Sequence, residues 1–380
     1  MPPGVSIMLY LDNAATTRKK PAAVYRAMLR YALFSGGNAG RGLNKLSLSG
    51  VRVIIAAQEA AAELFDIPAP ENIVFTQNAT HALNLAILGT LGKGDHIAVT
   101  EMDHNSVLRP AALFGSYTAA KADKRGYVTP LSLRRALKSS TTLAVSTHIS
   151  NVCGTLEPAA ELARAAHSVG ARFLLDASQS AGAADISVRR LGCDMLACPG
   201  HKGLMGPMGT GLLYIKEPEA LRPVICGGTG SESESLAQPR TMPDKFHSGT
   251  QNIPAIAGLC EGIRFILREG AESIGRHEKA LADALRERLM NMSGIKLYGS
   301  PDSGIVLFNI DGLDSADAAD ALGEDIIIRA GYHCAPLAHR ALGTQNGGGV
   351  RVSFGWFNTQ NDVKRFADAV YMLTKYTKQH

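Results

Sequence analysis

Residues 172–203 read RFLLDASQSAGAADISVRRLGCDMLACPGHKG, and the fold is decided in this stretch. Two short apolar runs, 172–175 and 195–197, each end in polar residues, and an alanine-rich helical pattern at 159–168 precedes the first run. Short apolar runs that alternate with helical patterns are typical of a mostly parallel α/β sheet. We therefore expect two strands of such a sheet here.

The same alternation continues on both sides of this stretch. Further apolar runs predict strands at residues 72–75, 96–99, 142–146 and 211–215. A polar stretch rich in glycine and serine, 227–239, predicts a loop.

The pattern changes after Ser273. A long amphipathic helix is predicted at residues 274–290, and strands with helices between them are predicted at 305–310, 325–329 and 350–353. This arrangement is typical of a second, smaller α+β domain. We expect the large domain to span residues 15–255 and the small domain to combine residues 1–14 with 256–380.

The composition is that of an ordinary folded protein. Hydrophobic residues make up 46% and charged residues 19% of the 380 residues, which excludes an intrinsically disordered chain. This length predicts roughly two to three domains. The net charge of +5 is spread along the chain, and its longest basic cluster, 18–20, is too short for a nucleic-acid-binding arm. We therefore expect no nucleic-acid partner.

The cysteines and the N-terminus indicate a compartment. None of the six cysteines forms a C-x-x-C pair. Residues 1–11 lack the charged start and long apolar run of a signal peptide, and no apolar stretch reaches the ~18 residues of a membrane span. We expect a cytoplasmic protein with no membrane association, in which a lone cysteine is either a small buried hydrophobe or a reactive group.

Polar residues collect where the predicted strands end. In open α/β sheets, ligands bind beyond the carboxyl ends of the strands. Any one of these segments could be an ordinary helix cap. Together they predict a site with partners for a phosphate, an aromatic ring and an amine, and they lie at residues 76–80, 101–104, 148–151, 176–179 and 200–202.

Four sequence motifs resemble those of a known enzyme superfamily. YLDNAATT at 10–17, DASQ at 176–179, GHKG at 200–203 and RAGYHCA at 329–335 resemble the class V aminotransferase superfamily, and most closely its group II cysteine desulfurases with their R-x-G-x-H-C-A motif. The resemblance covers nearly the whole chain in the right order. It implies the fold type I architecture of pyridoxal-phosphate (PLP) enzymes: an α/β fold with a mostly parallel central sheet in a large domain and a smaller α+β C-terminal domain. It also implies a homodimer with its sites at the subunit boundary.

The resemblance assigns four residues to the PLP ring. Lys202 would bind PLP covalently, which requires a surrounding that favours the neutral amine of a group with an ordinary pKa near ~10.4. Asp176 would keep the pyridine nitrogen protonated, so that the ring withdraws electrons from the substrate. Gln179 would reach the phenolate side, and His104 would stack on the ring and move protons. A surface lysine, a helix cap and a surface histidine are the ordinary alternatives.

The phosphate of PLP needs hydrogen-bond donors. Thr80 and the backbone around Ala79, at a helix start, resemble one set of donors, and His201 resembles another. Thr250 resembles the ligand that the partner subunit supplies, although a simple turn is the alternative. The family usually has serine where this chain has Pro199. One hydroxyl donor is therefore missing, and another group must replace it.

The substrate carboxylate is expected to meet arginine. Arg351 resembles the family's carboxylate clamp, for which the planar guanidinium is suited. Asn151 resembles its neutral helper, and Arg329 and Ala14 are further candidates for the substrate site. An arginine in a strand pattern otherwise faces solvent.

Cys334 distinguishes between activities. The resemblance implies that its thiolate takes the sulfur of L-cysteine as a persulfide, whereas the ordinary alternative is a buried apolar cysteine. Gly331 and Pro336 around it favour a loop. His333 is adjacent, but neighbours in a strand point to opposite faces. Tyr332 stands where histidine is frequent in group II, which affects proton handling near the thiol.

The sequence therefore predicts a PLP-dependent cysteine desulfurase that converts L-cysteine to L-alanine, with a sulfur-acceptor protein as a possible partner. An aminotransferase, or a selenocysteine or cysteine-sulfinate lyase, would share Lys202 and Asp176. A non-catalytic scaffold for sulfur or iron–sulfur assembly is a third interpretation, which an intact lysine disfavours. Cys193, Cys198 and His201 lack a fourth ligand, so no metal is expected.

Overall fold

The computed structural model describes residues 8–39 and 44–376, and the side chain of residue 376 is excluded. Residues 1–7 of the predicted small domain therefore lie outside the described part. The strands are β1 (Leu9–Tyr10), β2 (Ile73–Thr76), β3 (His96–Thr100), β4 (Tyr117–Ala120), β5 (Thr141–Thr147), β6 (Arg172–Asp176), β7 (Met195–Pro199), β8 (Gly211–Ile215), β9 (Ile295–Tyr298), β10 (Ile305–Ile310), β11 (Ile326–Ile327), β12 (Arg329–Gly331) and β13 (Gly349–Ser353).

The α-helices connect these strands and cover the sheets. They are α1 (Ala22–Phe34), α2 (Lys45–Phe65), α3 (Ala79–Thr90), α4 (Asn105–Phe114), α5 (Pro130–Ala136), α6 (Ala159–His167), α7 (Val188–Leu191), α8 (Ile253–Glu269), α9 (Ala271–Met290), α10 (Ser315–Ala321), α11 (Pro336–Leu342) and α12 (Gln360–Tyr376). No helix in the described ranges is both long enough and apolar enough to cross a membrane.

The central sheet has seven strands in the order β2-β8-β7-β6-β5-β3-β4. Strand β8 runs antiparallel to both of its neighbours, and all the other neighbouring strands pair in parallel. This confirms the predicted α/β fold with its mostly parallel sheet. Because the parallel strands end at the same edge, the polar segments that follow them are brought together there.

Both faces of the central sheet are buried. Phe173 and Leu175 of β6 belong to a core with residues of α2, α6 and α8, whereas Leu174 belongs to a core with α3 and α4. Side chains alternate between the faces of a strand, so an unbroken apolar run supplies both cores at once. Such runs are typical of parallel sheets that helices cover on both sides.

The small domain contains an antiparallel sheet in the order β12-β13-β10-β9. It shares a third core with α9 and α12, to which Phe308, Leu285 and Phe366 contribute. Strand β1 pairs in parallel with β11, and Leu9 and Leu11 enter this third core. The described start of the chain thus packs with its C-terminal part.

Helix α8 belongs to the core of the large sheet. Its side chains Ile256, Ile263 and Ile266 are buried there. The helix ends at Gly270, whose φ of +84° is in the region that glycine adopts without strain. We therefore propose that the large domain continues to Gly270, beyond the predicted limit at residue 255.

Some elements have no counterpart among the sequence predictions. Strands β4 and β9 are half-exposed and lack the continuous apolar run that marks the buried strands. The predicted strand 325–329 is divided into β11 and β12, which belong to different sheets. The stretch 227–239 contains neither helix nor strand, in agreement with the predicted loop.

Candidate active site

A cavity of about 240 Å³ lies at the carboxyl edge of the central sheet, where the small domain meets it. It is lined by every predicted site residue except Thr250, namely Ala14, Ala79, Thr80, His104, Asn151, Asp176, Gln179, His201, Lys202, Arg329, Cys334 and Arg351. The structure therefore brings together in one cavity residues that are more than 300 positions apart in the chain.

Lys202 is held in the tight turn that follows β7. A Cβ atom at Gly200 would collide with the hydroxyl of Thr210, and one at Gly203 would collide with the carbonyl oxygen of Ala181. Only glycine lets the backbone pass so closely at both positions. The turn thereby places Lys202 beside the end of β6, where Asp176 lies.

The Lys202 amine is buried and forms no hydrogen bond or ion pair within the described ranges. Burial lowers the pKa of Lys202 to about 8; Asp176 opposes this shift, whereas Arg351 and Arg329 add to it. A larger fraction of the amine is therefore neutral near pH 8 than for an exposed lysine. A neutral amine is the form that attacks the aldehyde of PLP, which fits the predicted role.

This pKa predicts how covalent PLP uptake depends on pH. Deprotonation of Lys202 creates the reactive amine, so the rate should rise about fivefold between pH 7 and 8 and level off above about pH 9. Stopped-flow absorbance of the apoprotein mixed with PLP measures this rate. A rate that still climbs steeply at pH 10 would contradict the lowered pKa.

Asp176 and Gln179 lie on opposite ends of one turn. The Asp176 carboxylate is 2% exposed and accepts a hydrogen bond from the backbone N–H of Ser178 at 2.9 Å. The Gln179 amide donates to the Ala14 carbonyl at 3.1 Å, and the Ala14 N–H donates to the Ser353 hydroxyl at 2.9 Å. Ala14 is thereby held between the two domains at the wall of the cavity.

His104 caps the N-terminus of α4. Its Nδ1 accepts the backbone N–H of Ser106 at 3.0 Å, so the proton of the neutral ring resides on Nε2. Burial lowers the pKa of His104, and the nearby Asp176 opposes that shift. A neutral, half-buried ring at the wall of this cavity is suited to lie against an aromatic cofactor.

A cluster of polar groups is suited to a phosphate. Helix α3 begins at Ala79 with Asn78 as its cap, and its first N–H groups point towards the cavity end where Thr80 lies. The Nδ1 atom of His201 is buried without a hydrogen-bond partner within the described ranges. Burial lowers the pKa of His201 to about 4, so the ring is neutral. These groups fit the phosphate of PLP.

Arg351 lies on β13 and is 2% exposed. Its guanidinium donates to the Asn151 carbonyl at 2.8 Å and to the Asp12 carboxylate at 2.7 Å. Its Nε is buried with no partner in the part of the chain that the structure describes. A buried, unused N–H beside the cavity is suited to a carboxylate ligand. The Asp12 partner was not predicted from the sequence, although Asp12 lies in the recognised motif at 10–17.

Replacing this guanidinium tests its role. Arg351→Lys should raise the KM for L-cysteine about ten- to a hundredfold, because a hydrogen bond to a charged group contributes about 1.5–3 kcal/mol. The single ammonium group of lysine cannot reproduce the planar set of N–H donors that a guanidinium offers to a carboxylate. Arg329 pairs with Arg351 across β12 and β13 but is exposed, so Arg329→Lys is the matched control with a smaller effect. Equal KM values for the two variants in steady-state kinetics would contradict the assignment.

The Cys334 loop joins β12 to α11 and is held in an unusual conformation. His333 and Cys334 have φ values of +48° and +56°, which non-glycine residues adopt only when their surroundings impose it. The His333 carbonyl accepts from the Asn151 amide at 2.8 Å, and the Cys334 carbonyl accepts from the Asn105 N–H at 2.7 Å. The Cys334 side chain is exposed and lines the cavity.

Of the two residues that precede Cys334, His333 lines the cavity and Tyr332 does not. His333 is buried and stacks on His339 with ring centroids 5.3 Å apart. Tyr332 does not line the cavity, and its hydroxyl donates to the Gln345 carbonyl at 2.8 Å. The tyrosine that departs from the group II pattern therefore packs outside the site.

Other cysteines lack these features. Cys153, Cys193, Cys198 and Cys260 are buried. Burial raises the pKa of Cys193 to about 12 and that of Cys260 to about 11, so both remain thiols at neutral pH. Cys226 is exposed but does not line the cavity.

Thr250 is separated from the other predicted site residues. It lines a second cavity of about 620 Å³, together with Ala39, Ile54 and Gly228. Within one chain it cannot act on a ligand in the Lys202 cavity.

Similar proteins have been identified by sequence and by structure. The profile of the aminotransferase class-V family matches residues 9–366. A probable cysteine desulfurase of Methanothermobacter thermautotrophicus is 36% identical over 377 residues, which cover 95% of this chain and 94% of that protein.

Two solved structures share the fold. The cysteine desulfurase of Thermococcus onnurineus NA1 superposes with a TM-score of 0.91 at 33% identity, over 97% of this chain and 95% of that one. The cysteine desulfurase CsdA of Escherichia coli superposes with a TM-score of 0.88 at 27% identity, over 97% and 95% of the two chains.

Proposed function

The chain belongs to the aminotransferase class-V family and is a PLP-dependent cysteine desulfurase, and on that premise we propose that Lys202 holds the cofactor and that Cys334 takes the sulfur of L-cysteine. One observation carries the proposal: the half-buried Lys202 and the exposed Cys334 line the same cavity as Asp176 and Arg351. The cavity thus contains the four groups that the reaction needs: an amine for covalent attachment, a carboxylate for the pyridine nitrogen, a guanidinium for the substrate carboxylate and a thiol nucleophile.

The cofactor is bound by residues of the large domain. When bound, PLP withdraws electrons from the substrate and so stabilises negative charge at its Cα and Cβ atoms. Asp176 would hold a proton on the pyridine nitrogen, and the neutral ring of His104 would lie against the cofactor ring. Thr80, His201 and the first turn of α3 bind the phosphate.

The substrate is oriented from the small domain. The free Nε–H of Arg351 binds the carboxylate of L-cysteine, while Asp12 and the Asn151 carbonyl hold the guanidinium in place. The neutral amine of Lys202 would remove the proton from Cα of the substrate and later return one. Its lowered pKa suits a base that works near neutral pH.

The Cys334 thiolate performs the sulfur transfer. It attacks the substrate sulfur; a sulfur–sulfur bond forms, the Cβ–S bond breaks and the electron pair of that bond remains on Cβ. Protons then enter at Cβ and Cα. The products are L-alanine and a Cys334 persulfide, so the atoms of L-cysteine and the thiol are all accounted for.

The exposed position of Cys334 suits delivery of this sulfur to an acceptor protein. The exposed thiols of Cys334 and Cys226 stay reduced most readily in a reducing compartment, and we therefore include a cytoplasmic location in this proposal.

Product analysis tests the activity. Purified protein with PLP, L-cysteine and a thiol reductant should release sulfide and alanine in equal amounts, without an added keto-acid. A reaction that requires a keto-acid and converts PLP to its amine form would support an aminotransferase instead. Omission of the reductant should slow sulfide release and leave sulfur on the enzyme.

A homodimer explains the position of Thr250. If a partner subunit covers the second cavity, its Thr250 can reach the phosphate of the first subunit, and closed two-fold dimers are the commonest homo-oligomers. Sedimentation should therefore give twice the mass of the chain, and Thr250→Ala should weaken PLP binding without dissociating the dimer. A fully active monomer would refute the shared site.

A further inference from the structure

Ser106 is a hydroxyl in the cofactor cavity to which neither the sequence motifs nor the proposed function assigns a role. It is the second residue of α4, half-buried, and it lines the cavity with Thr80 and His201. Its Oγ lies 2.8 Å from the Thr80 Oγ1 and 2.9 Å from the His104 Nδ1. The side chain thus stands between a phosphate-binding residue and the ring-stacking histidine.

Pro199 explains why a further hydroxyl is needed. Proline lines the same cavity, and it has neither a hydroxyl nor a backbone N–H to donate. The phosphate of PLP carries about two negative charges and has three acceptor oxygens. The donors proposed for it within one chain are Thr80, His201 and the first turn of α3, so a second hydroxyl beside Thr80 adds a donor to this group.

We propose that Ser106 supplies to the PLP phosphate a hydroxyl that Pro199 cannot provide, so that Ser106 and Thr80 bind the phosphate as a pair. The inference rests on the proposed position of the phosphate at the start of α3. The two hydroxyl oxygens are within hydrogen-bond distance of each other, so one phosphate group can contact both. The backbone N–H of Ser106 still donates its hydrogen bond to Nδ1 of His104, so the proton of that ring stays on Nε2.

An alternative role for Ser106 is purely to orient His104. The two roles differ in the part of the cofactor that they affect, because His104 faces the ring and Thr80 lies at the phosphate end. Pyridoxal, which has the ring but no phosphate, separates them. A phosphate ligand affects PLP binding alone, whereas a residue that acts through His104 affects both compounds.

The test measures binding to the apoprotein by absorbance and fluorescence titration, with PLP and with pyridoxal. Ser106→Ala should weaken PLP binding about ten- to a hundredfold, the range expected for a hydrogen bond to a charged group, and should leave the affinity for pyridoxal unchanged. Ser178→Ala is the matched control, because Ser178 lines the same cavity beside Asp176. Its PLP affinity should equal that of the wild type.

A second part of the test places a hydroxyl at position 199. Pro199→Ser should recover PLP affinity in the Ser106→Ala background and should add little in the wild-type background, since the two hydroxyls serve the same phosphate. Recovery of this kind would not occur if Ser106 only stabilised the fold.

Three results overturn the inference. The first is an unchanged PLP affinity in Ser106→Ala, and the second is an equal loss of affinity for PLP and for pyridoxal in that variant. The third is a double variant, Ser106→Ala with Pro199→Ser, that does not recover PLP affinity although the Pro199→Ser single variant binds PLP normally. Wild-type protein that binds no PLP would instead refute the proposed function, so the two failures are distinguishable.

Discussion

Replacing Lys202 by alanine should abolish covalent attachment of PLP and lower turnover of L-cysteine by about 10²–10⁴-fold or more. The range is that of a lost general base, and the loss of the covalent anchor adds to it. Noncovalent PLP should remain detectable at high concentration, because Thr80, His201 and Asp176 contact other parts of the cofactor. Borohydride reduction followed by peptide mapping measures the attachment, and the sulfide assay measures turnover.

Lys20 is the matched control for this experiment. Burial also lowers the pKa of Lys20 to about 8, but its amine donates to the carbonyls of Thr17 and His201 at 2.9 and 3.2 Å. Lys20→Met should therefore keep the borohydride label on Lys202. A label that persists in Lys202→Ala and maps to Lys20 would show that a lowered pKa alone selects the lysine, and would contradict the assignment.

Replacing Cys334 by alanine should abolish sulfide release from L-cysteine while the PLP spectrum stays that of the wild type. Sulfur transfer requires a thiolate that reaches the substrate, whereas cofactor binding depends on Lys202, Asp176 and the phosphate ligands. Mass spectrometry after a single turnover should find the extra sulfur on the peptide that contains Cys334 in the wild type and nowhere in the variant.

Cys226 provides the control for Cys334. Both thiols are exposed and free, but Cys226 lies outside the cavity, so Cys226→Ala should retain full activity. Cys334→Ser, which keeps the size of the side chain at a φ of +56°, separates loss of the thiol from a change of the loop. If Cys334→Ala and Cys334→Ser both keep full activity on L-cysteine, a mechanism without a protein persulfide replaces the one proposed.

The conformation of the Cys334 loop connects these predictions to the fold. Two consecutive residues in the left-handed region cost about 1–3 kcal/mol each. They are kept there by hydrogen bonds from Asn151 and Asn105 of the large domain, because both donors meet carbonyls of the loop. The nucleophile is therefore positioned by contacts between the domains as well as by its own sequence.

Local sequence patterns predicted six of the seven strands of the central sheet, all but β4, and the polar segments that follow several of them. A short apolar run bounded by turn residues favours a strand that is buried on both faces, and the residue that follows such a strand lies at the edge of the sheet. Asp176 and Lys202 were predictable for this reason. The carboxyl ends of parallel strands meet, so the residues after β3, β6 and β7 share one edge whatever the loops between them do.

The pairing of distant side chains was decided only by the tertiary structure. Arg351 meets Asp12, 339 residues away, and Ser106 meets Thr80, because packing of the domains and of α3 beside α4 brings them together. Thr250 joins a different cavity for the same reason. The periodicity of a sequence records which face of an element is buried, but it does not record which polar group stands opposite. The packing of the hydrophobic cores determines which polar groups face each other, and these pairs position the residues that bind the cofactor and the substrate.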